Sequence, residues 1–366
     1  VRWRAGLPAA TGARLAPTAE QDWITSELAL AALAGVSQLN LDACSEYVTD
    51  ELLLRLPASL RVLNVADCRR LTPRASFAHL AALASLDCSW TEVVNERMDG
   101  LPPSLVELDI SGTRVFGSVA HLARLRVLRA SYSAMDDVTL ASLSPGLVEL
   151  HAVECELTPA ASFAHLPALQ MLDVTRCSIS DAALARMPPS LVSLTVSRCE
   201  NLTCAAALPH LPSLRLLDVS STKVGDALVR SLPPGLEELR LIRCPNVTAG
   251  ATLDHVPALR LLHSAGTQLA PATLSAVRTR GCTAPAPDTL QGRRMARVTA
   301  LTVLADGRLV VGDLPGEVQL WDVVVRGAAV ATAAAALKVS DTGSVEALAA
   351  LPDGRLAVGT WAFRTH

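Results

Sequence analysis

Aromatic side chains are nearly missing: Phe, Trp and Tyr make up 3% of the 366 residues, against 50% hydrophobic residues overall. A core without rings has to be assembled from Leu, Val and Ala, which favours thin repeated layers over a globule wrapped around bulky groups. An excess of one charge is missing too. Lys and Arg number 32 and Asp and Glu 35, for a formal net charge of −3. No global field therefore draws the chain to nucleic acid or to an anionic membrane, and neither is expected as a partner. No apolar run reaches the roughly 18 residues of a membrane span. The longest, Ala328 to Leu337, is Ala-rich and broken by Thr332. The opening VRWRAGLPAATG has neither an initiator Met nor the apolar core of a signal peptide, and reads as a lost start. Phosphate loop, HExxH, nucleophile elbow and CxxC are all lacking, so no catalytic residue, cofactor or metal is assigned and no enzyme is expected.

What is there is a ladder. A phrase of the form Leu-x-x-Leu-x-apolar-x-x-(Cys, Thr or Ser) begins at Val36, Leu60, Leu83, Leu105, Leu125, Leu147, Leu169, Leu191, Leu214, Leu236 and Leu259, in steps of 20 to 24 residues. Each phrase reads as a short strand. Alternation sends Leu63 and Val65, or Leu172 and Val174, inward and Asn64 or Asp173 outward. The ninth position is always small and carries a donor (Cys44, Cys68, Thr91, Thr113, Ser133, Cys155, Cys177, Cys199, Thr222, Cys244, Thr267), suited to satisfying backbone groups where the strand turns away.

A second period lies over the first. Even units are introduced by a proline phrase such as LPPSL, odd units by a histidine phrase such as HLPAL, so the duplicated block is a pair of units. After odd strands, Asp137, Asp181 and Asp226 read as acid caps of short helices. After even strands, Thr72-Pro73 and Thr158-Pro159 read as an N-cap with Pro at the first helical position. His79, His121, His165, His210 and His255 recur every second layer, roughly 10 Å apart, too far to share a zinc ion. A repeat-specific backbone hydrogen bond is the expected role. The sequons Asn201-Leu202-Thr203 and Asn246-Val247-Thr248 likewise fall out of the even-unit pattern.

On this phrase and period the chain resembles the leucine-rich repeat family, which implies an α/β solenoid: a curved parallel sheet with short outer helices. The stretch Cys177-Ser178-Ile179-Ser180-Asp181-Ala182-Ala183-Leu184 is similar to the cysteine-containing subclass found in ubiquitin-ligase substrate receptors, although these units are shorter than that subclass. The odd cysteine count of nine, with six in one lane, argues for reduced buried thiols and a cytoplasmic setting. The resemblance to that subclass implies a substrate-recognition subunit of a ubiquitin ligase as one alternative function, and the sequons keep a secreted or surface recognition protein as another.

The repeat ends after Pro271. Residues 1–24 are expected to be irregular, 25–277 to form the solenoid of about eleven units, and 278–297 to be a linker. Residues 298–366 contain strands set apart by Asp306-Gly307 and Pro315-Gly316, then Trp321-Asp322 and a second "DGRL-x-VG" copy. They resemble WD40 propeller blades, all-β and incomplete, which implies further blades beyond His366.

A solenoid's inner sheet is its usual binding surface. Outward strand positions are read as Trp90, Tyr132, Arg129, His151, Arg176, Arg198, Arg240, Arg243 and His263, with Asn40, Asp42, Asn64, Asp67, Asp87 and Asp109 towards the other end. Exposed Trp, Tyr and Arg are frequent interface anchors. The expected function is a scaffold whose concave face binds a protein or peptide, favouring an acidic partner at its basic half. A polar face neutralised by cross-strand ion pairs is the competing reading.

Overall fold

Strands of only three residues form at each repeat of the phrase, and each is stabilised by a neighbour one unit away. The computed structural model describes residues 12–14, 35–42, 47–92, 100–114 and 118–284, together with the strands within 298–362. The chain divides into two compact units, Val1–Pro285 and Ala286–His366.

In the first unit, β1 (Gly12–Arg14), β2 (Gln38–Asn40), β3 (Val62–Asn64), β4 (Ser85–Asp87), β5 (Glu107–Asp109), β6 (Val127–Arg129), β7 (Glu149–His151), β8 (Met171–Asp173), β9 (Ser193–Thr195), β10 (Leu216–Asp218), β11 (Glu238–Arg240) and β12 (Leu261–His263) make one parallel sheet in chain order. The register pairs like with like, Leu63 with Leu86 and Leu172 with Leu194, so the central leucines stack into a continuous core. Leu172 and Val174 are buried while Asp173 between them is half-exposed, as alternation requires. β1 falls within the segment expected to be irregular. It joins the sheet through backbone pairing of Ala13 with Leu39, which needs no leucine phrase.

Among the described residues, helices follow only odd units of the repeat, after β2, β6, β8, β10 and β12: α1 (Asp50–Leu54), α2 (Asp137–Ala141), α3 (Asp181–Leu184), α4 (Asp226–Arg230) and α5 (Pro271–Thr279). The caps lie one residue earlier than the sequence suggests. Thr49, Asp136 and Ser180 take extended backbone and accept the amide three residues on, and Gly225 holds the same place without a side chain. Asp50, Asp137, Asp181 and Asp226 are thereby the first helical residues, and each turns its carboxylate to the next unit. Asp181 accepts Thr203 N–H at 2.9 Å and its hydroxyl at 2.5 Å, and Asp226 holds Thr248 at 2.7 and 2.6 Å. Thr72 and Thr158 are clasped the same way by Asp50 and Asp137. These threonines do not start helices. Their hydroxyls accept the amide two residues on, a single turn followed by the buried Phe77 or Phe163. Too few residues separate Thr from Phe for a helix to propagate.

The ninth-position donors act as expected, by two routes. Thr113, Ser133 and Thr222 donate to the carbonyl three residues back in their own unit. Cys155, Cys177, Cys199 and Cys244 reach the preceding unit, donating to Ala130, Ala152, Val174 and Val219 carbonyls at 3.0–3.2 Å. Burial pushes the Cys177 and Cys199 thiols up to about 12, which suppresses thiolate reactivity. Of the histidines, His165 and His255 hydrogen-bond the carbonyls of Leu140 and Val229 on the preceding helices. His79 has neither ring nitrogen paired, and His121 leaves Nε2 buried and unpaired.

In the second unit, β13 (Val298–Val303), β14 (Leu309–Asp313), β15 (Glu317–Val324) and β16 (Val330–Lys338) form an antiparallel meander in chain order, and β17 (Gly343–Ala350) pairs with β18 (Leu356–Ala362). β16 occupies the Ala-rich run. The turns at Asp306-Gly307 and Pro315-Gly316, the basic segment 285–297 and Cys44 lie outside the described residues.

Candidate binding surface

The side chains expected on outward strand positions separate into two rows. Arg129, His151, Arg240 and His263 are third residues of β6, β7, β11 and β12, in register with Asp87, Asp109, Asp173, Thr195 and Asp218 of the same row. Trp90, Tyr132, Arg176, Arg198 and Arg243 are not on strands. They sit three residues further on, in the turn that leaves the sheet, at φ between 57° and 60°. The expectation of one outward face is corrected: alternation governs only the three-residue strand, and the turn then aims its own side chains.

The turn geometry follows from the backbone ladder. After each strand the amide of the turn residue donates to the next unit, Tyr132 N–H to Val153 O at 2.7 Å and Arg198 N–H to Ser220 O at 2.8 Å. Extending the ladder past the strand requires the left-handed conformation, which Asp67, Glu154 and Ser221 also adopt and for which glycine serves at Gly112 and Gly266. A β-carbon at Gly112 would stand 2.4 Å from the Trp90 ring, so the ring lies across that glycine. It meets the Tyr132 ring at a centroid separation of 6.0 Å, tilted by 34°. Both rings remain about half exposed (Trp90 57%, Tyr132 51%).

The strand row is largely neutralised. Glu149 takes Arg129 at 2.9 Å and His151 at 2.8 Å through one carboxylate oxygen. Arg240 holds Glu238 at 2.6 Å and Asp218 at 3.8 Å. The acidic edge at first strand positions is thus consumed within the sheet, Glu107 also accepting the Ser85 hydroxyl. Strand-row aspartates are occupied as well. Asp87, Asp109, Asp173 and Asp218 each accept the amide two residues on. Burial raises the Asp87 carboxyl above its ordinary value, opposed by its bond from Ser89 and aided by the Asp109 charge opposite. Burial and then Arg240 lower His263.

The turn row differs. Arg176 pairs with Glu154. Arg198 and Arg243 are exposed and have no carboxylate in ion-pair range among the described residues. Arg176, Arg198 and Arg243 line an open recess of about 820 Å³ together with Glu154, Glu156 and Glu200. Sequence reasoning passed over the two glutamates at the tenth position, Glu156 and Glu200. Their regular offset of two residues from the turn row was the signal that would have found them. Asn201 and Asn246, the sequon residues, spend their side-chain amides on the Ser178 and Lys223 carbonyls. Among the described residues no cluster of His, Cys, Asp or Glu is placed to hold a metal ion, and no helix is long and apolar enough to cross a membrane.

No family model matches the chain, and no curated protein matches it. Solved structures do. TLR13, from the TLR13–ssRNA13 complex, superposes with a TM-score of 0.50 at 20% identity over 64% of this chain, which spans 36% of the TLR13 chain. An internalin (inlF) from Listeria monocytogenes matches at 0.48 and 16% identity, covering 70% of this chain and 81% of its own. YopM from Yersinia enterocolitica matches at 0.40 and 22%, covering 64% and 59%. At 20% identity the likeness to TLR13 concerns the fold alone, and with the parallel sheet and register above, the fold is that of a leucine-rich repeat solenoid.

Proposed function

We propose that the chain is a non-enzymatic protein-interaction scaffold, binding a protein or peptide partner on the sheet side of the solenoid. The observation that carries this reading is the exposed row of Trp90, Tyr132, Arg198 and Arg243, large interface-type side chains on a rigid backbone ladder and not engaged in neutralising each other. Structural use accounts for the other polar lanes, since the caps, clasps and ninth-position donors all serve backbone groups. Recess carboxylates standing among the arginines favour a polypeptide over a polyanionic nucleic acid. Burial of seven of the eight described cysteines, all but Cys204, with no disulfide among them, supports a reducing, cytoplasmic setting. For the second unit, the reading as WD40-type blades, a second surface for partners, rests on the repeated DGRL-x-VG phrase and is compatible with the antiparallel meander β13–β16.

Site-specific photo-crosslinking tests the scaffold reading. A photoreactive residue at Thr195, on the sheet face, is expected to trap discrete partner adducts in cells. The same residue at Arg230, at the end of α4, is expected to trap none. Equal adduct patterns from both positions, or no adduct from Thr195, would remove the sheet side as the binding surface.

A further inference from the structure

The turn row has a chemistry that changes along its length, and that change is specific enough to describe an occupant. The row reads Asp67, Trp90, Gly112, Tyr132, Glu154, Arg176, Arg198, Ser221, Arg243 and Gly266. Two exposed rings lean together at one end, a neutralised Arg176–Glu154 pair lies between, and two free guanidiniums follow. Most of these residues hold a left-handed backbone, which is unfavourable by about 1–2 kcal/mol for an L-residue. Glycine is accepted at two places in the same row, so the geometry does not demand a side chain. Large side chains kept at strained positions point to use.

We propose that the turn row is a linear docking rim for an extended segment of a partner protein, with an aromatic or large aliphatic side chain against Trp90 and Tyr132 and carboxylates at Arg198 and Arg243. This deepens the scaffold reading and rests on it. Charge complementarity selects the occupant. Arg198 and Arg243 present free donors, while Glu156 and Glu200, which line the same recess, repel a continuous polyanion but tolerate spaced carboxylates.

The spacing follows from the repeat. Neighbouring strands stand about 4.8 Å apart and an extended chain advances about 3.3 Å per residue. From the turn after β6 to that after β9 is then about 14 Å, or about four residues; from β9 to β11 is about 10 Å, or about three. The segment reads as an apolar anchor, an acidic residue about four positions along and a second acid about three beyond that.

A random-peptide display library of extended segments, selected on the full chain, tests this directly. Selection on the unaltered chain is expected to enrich that anchor-and-two-acids pattern in either chain direction. A representative enriched peptide should lose about tenfold or more in affinity on the R198E/R243E variant and on Trp90→Ala, and be unaffected by Arg230→Glu on the helix side. Circular dichroism melting on each variant separates lost binding from lost fold. Enrichment of peptides without acids, enrichment of none, or affinity indifferent to R198E/R243E would each overturn the rim. Tight binding of single-stranded oligouridylate in place of peptides would overturn it in favour of nucleic acid. If the rim fails while face-specific crosslinks at Thr195 persist, the scaffold reading stands without it. If both fail, neither survives.

Discussion

The strand row and the turn row are separated by three residues of chain, share the same repeat, and have opposite electrostatic character. On the strands, the first and third residues share a face, so a first-position glutamate reaches a basic residue two positions on in its own strand or diagonally on the next strand, and the row closes on itself. Glu149 between Arg129 and His151, and Glu238 against Arg240, show this closure. In the turns the left-handed backbone swings side chains off the sheet, and only Arg176 finds a carboxylate. Satisfaction within the sheet makes the strand row a stabilising surface. Lack of it makes the turn row an available one.

The sharpest way to break the comparison is to remove the floor beneath both rows. Leu194 is fully buried in β9 and in register with Leu172 and Leu217. Leu194→Asp would bury an unpaired charge in the stack and is expected to destabilise by about 4 kcal/mol or more. Urea unfolding followed by circular dichroism measures it; a midpoint equal to that of the unaltered protein would place Leu194 outside the core and dissolve both rows.

Next in size is the ion-pair contrast. Glu149→Ala leaves the half-buried Arg129 and His151 side chains without their shared partner and is expected to cost about 1 kcal/mol. Glu154→Ala in the turn row, where Arg176 is 46% exposed, is expected to cost less than about 0.5 kcal/mol. Equal losses in chemical denaturation would mean that the rows do not differ as described.

Backbone strain supplies a third contrast. Asn tolerates the left-handed region better than Arg, so Arg198→Asn and Arg243→Asn are each expected to stabilise by about 0.5–1 kcal/mol. Arg240→Asn, on extended backbone and stripped of Glu238 and Asp218, is expected to destabilise. Thermal melts of the three variants should therefore move in opposite directions, and a common direction would count against strain in the turns.

The solenoid was legible because its signal repeats. The stacked leucines, the small ninth-position donors and the pairwise alternation of return segments all recur at fixed spacing, and a single unit read wrongly is outvoted by the others. The helix caps were misplaced by one residue because Asp137, Asp181 and Asp226 have cap chemistry but serve the next unit's threonine, a contact some 22 residues away that local pattern cannot reveal. Arg129, His151, Arg240 and His263 lie on strands as expected, whereas Trp90, Tyr132, Arg176, Arg198 and Arg243 lie in the turns. Nothing in Trp90 or Arg198 announces a positive φ, since the sequence shows it only where glycine stands, at Gly112 and Gly266. Which arginines were free was likewise invisible, because it depends on which way the turn backbone aims each side chain relative to the carboxylates around it.

The smallest expected effect tests whether the strand row is fully settled. Asp87 is its one buried carboxylate (7% exposed), and it stands opposite Asp109 in the register. Its folded-state affinity for a proton is raised, by burial first, so the ionised form present at neutral pH works against folding. Asp87→Asn keeps an oxygen for the Ser89 amide and hydroxyl while removing the like charge, and is expected to stabilise by about 0.5 kcal/mol at pH 7. Since the raised group destabilises only when ionised, that gain should be full above the folded-state value, shrink as pH falls through it, and vanish below the ordinary carboxylate value of 3.8. Denaturation midpoints of both proteins across that range read the difference. A gain independent of pH would assign it to packing and leave the strand row without a frustrated charge, whereas a gain that disappears in acid would show that even the self-neutralised row holds one unfavourable charge, a carboxylate penalised first by its burial and then by the aspartate opposite.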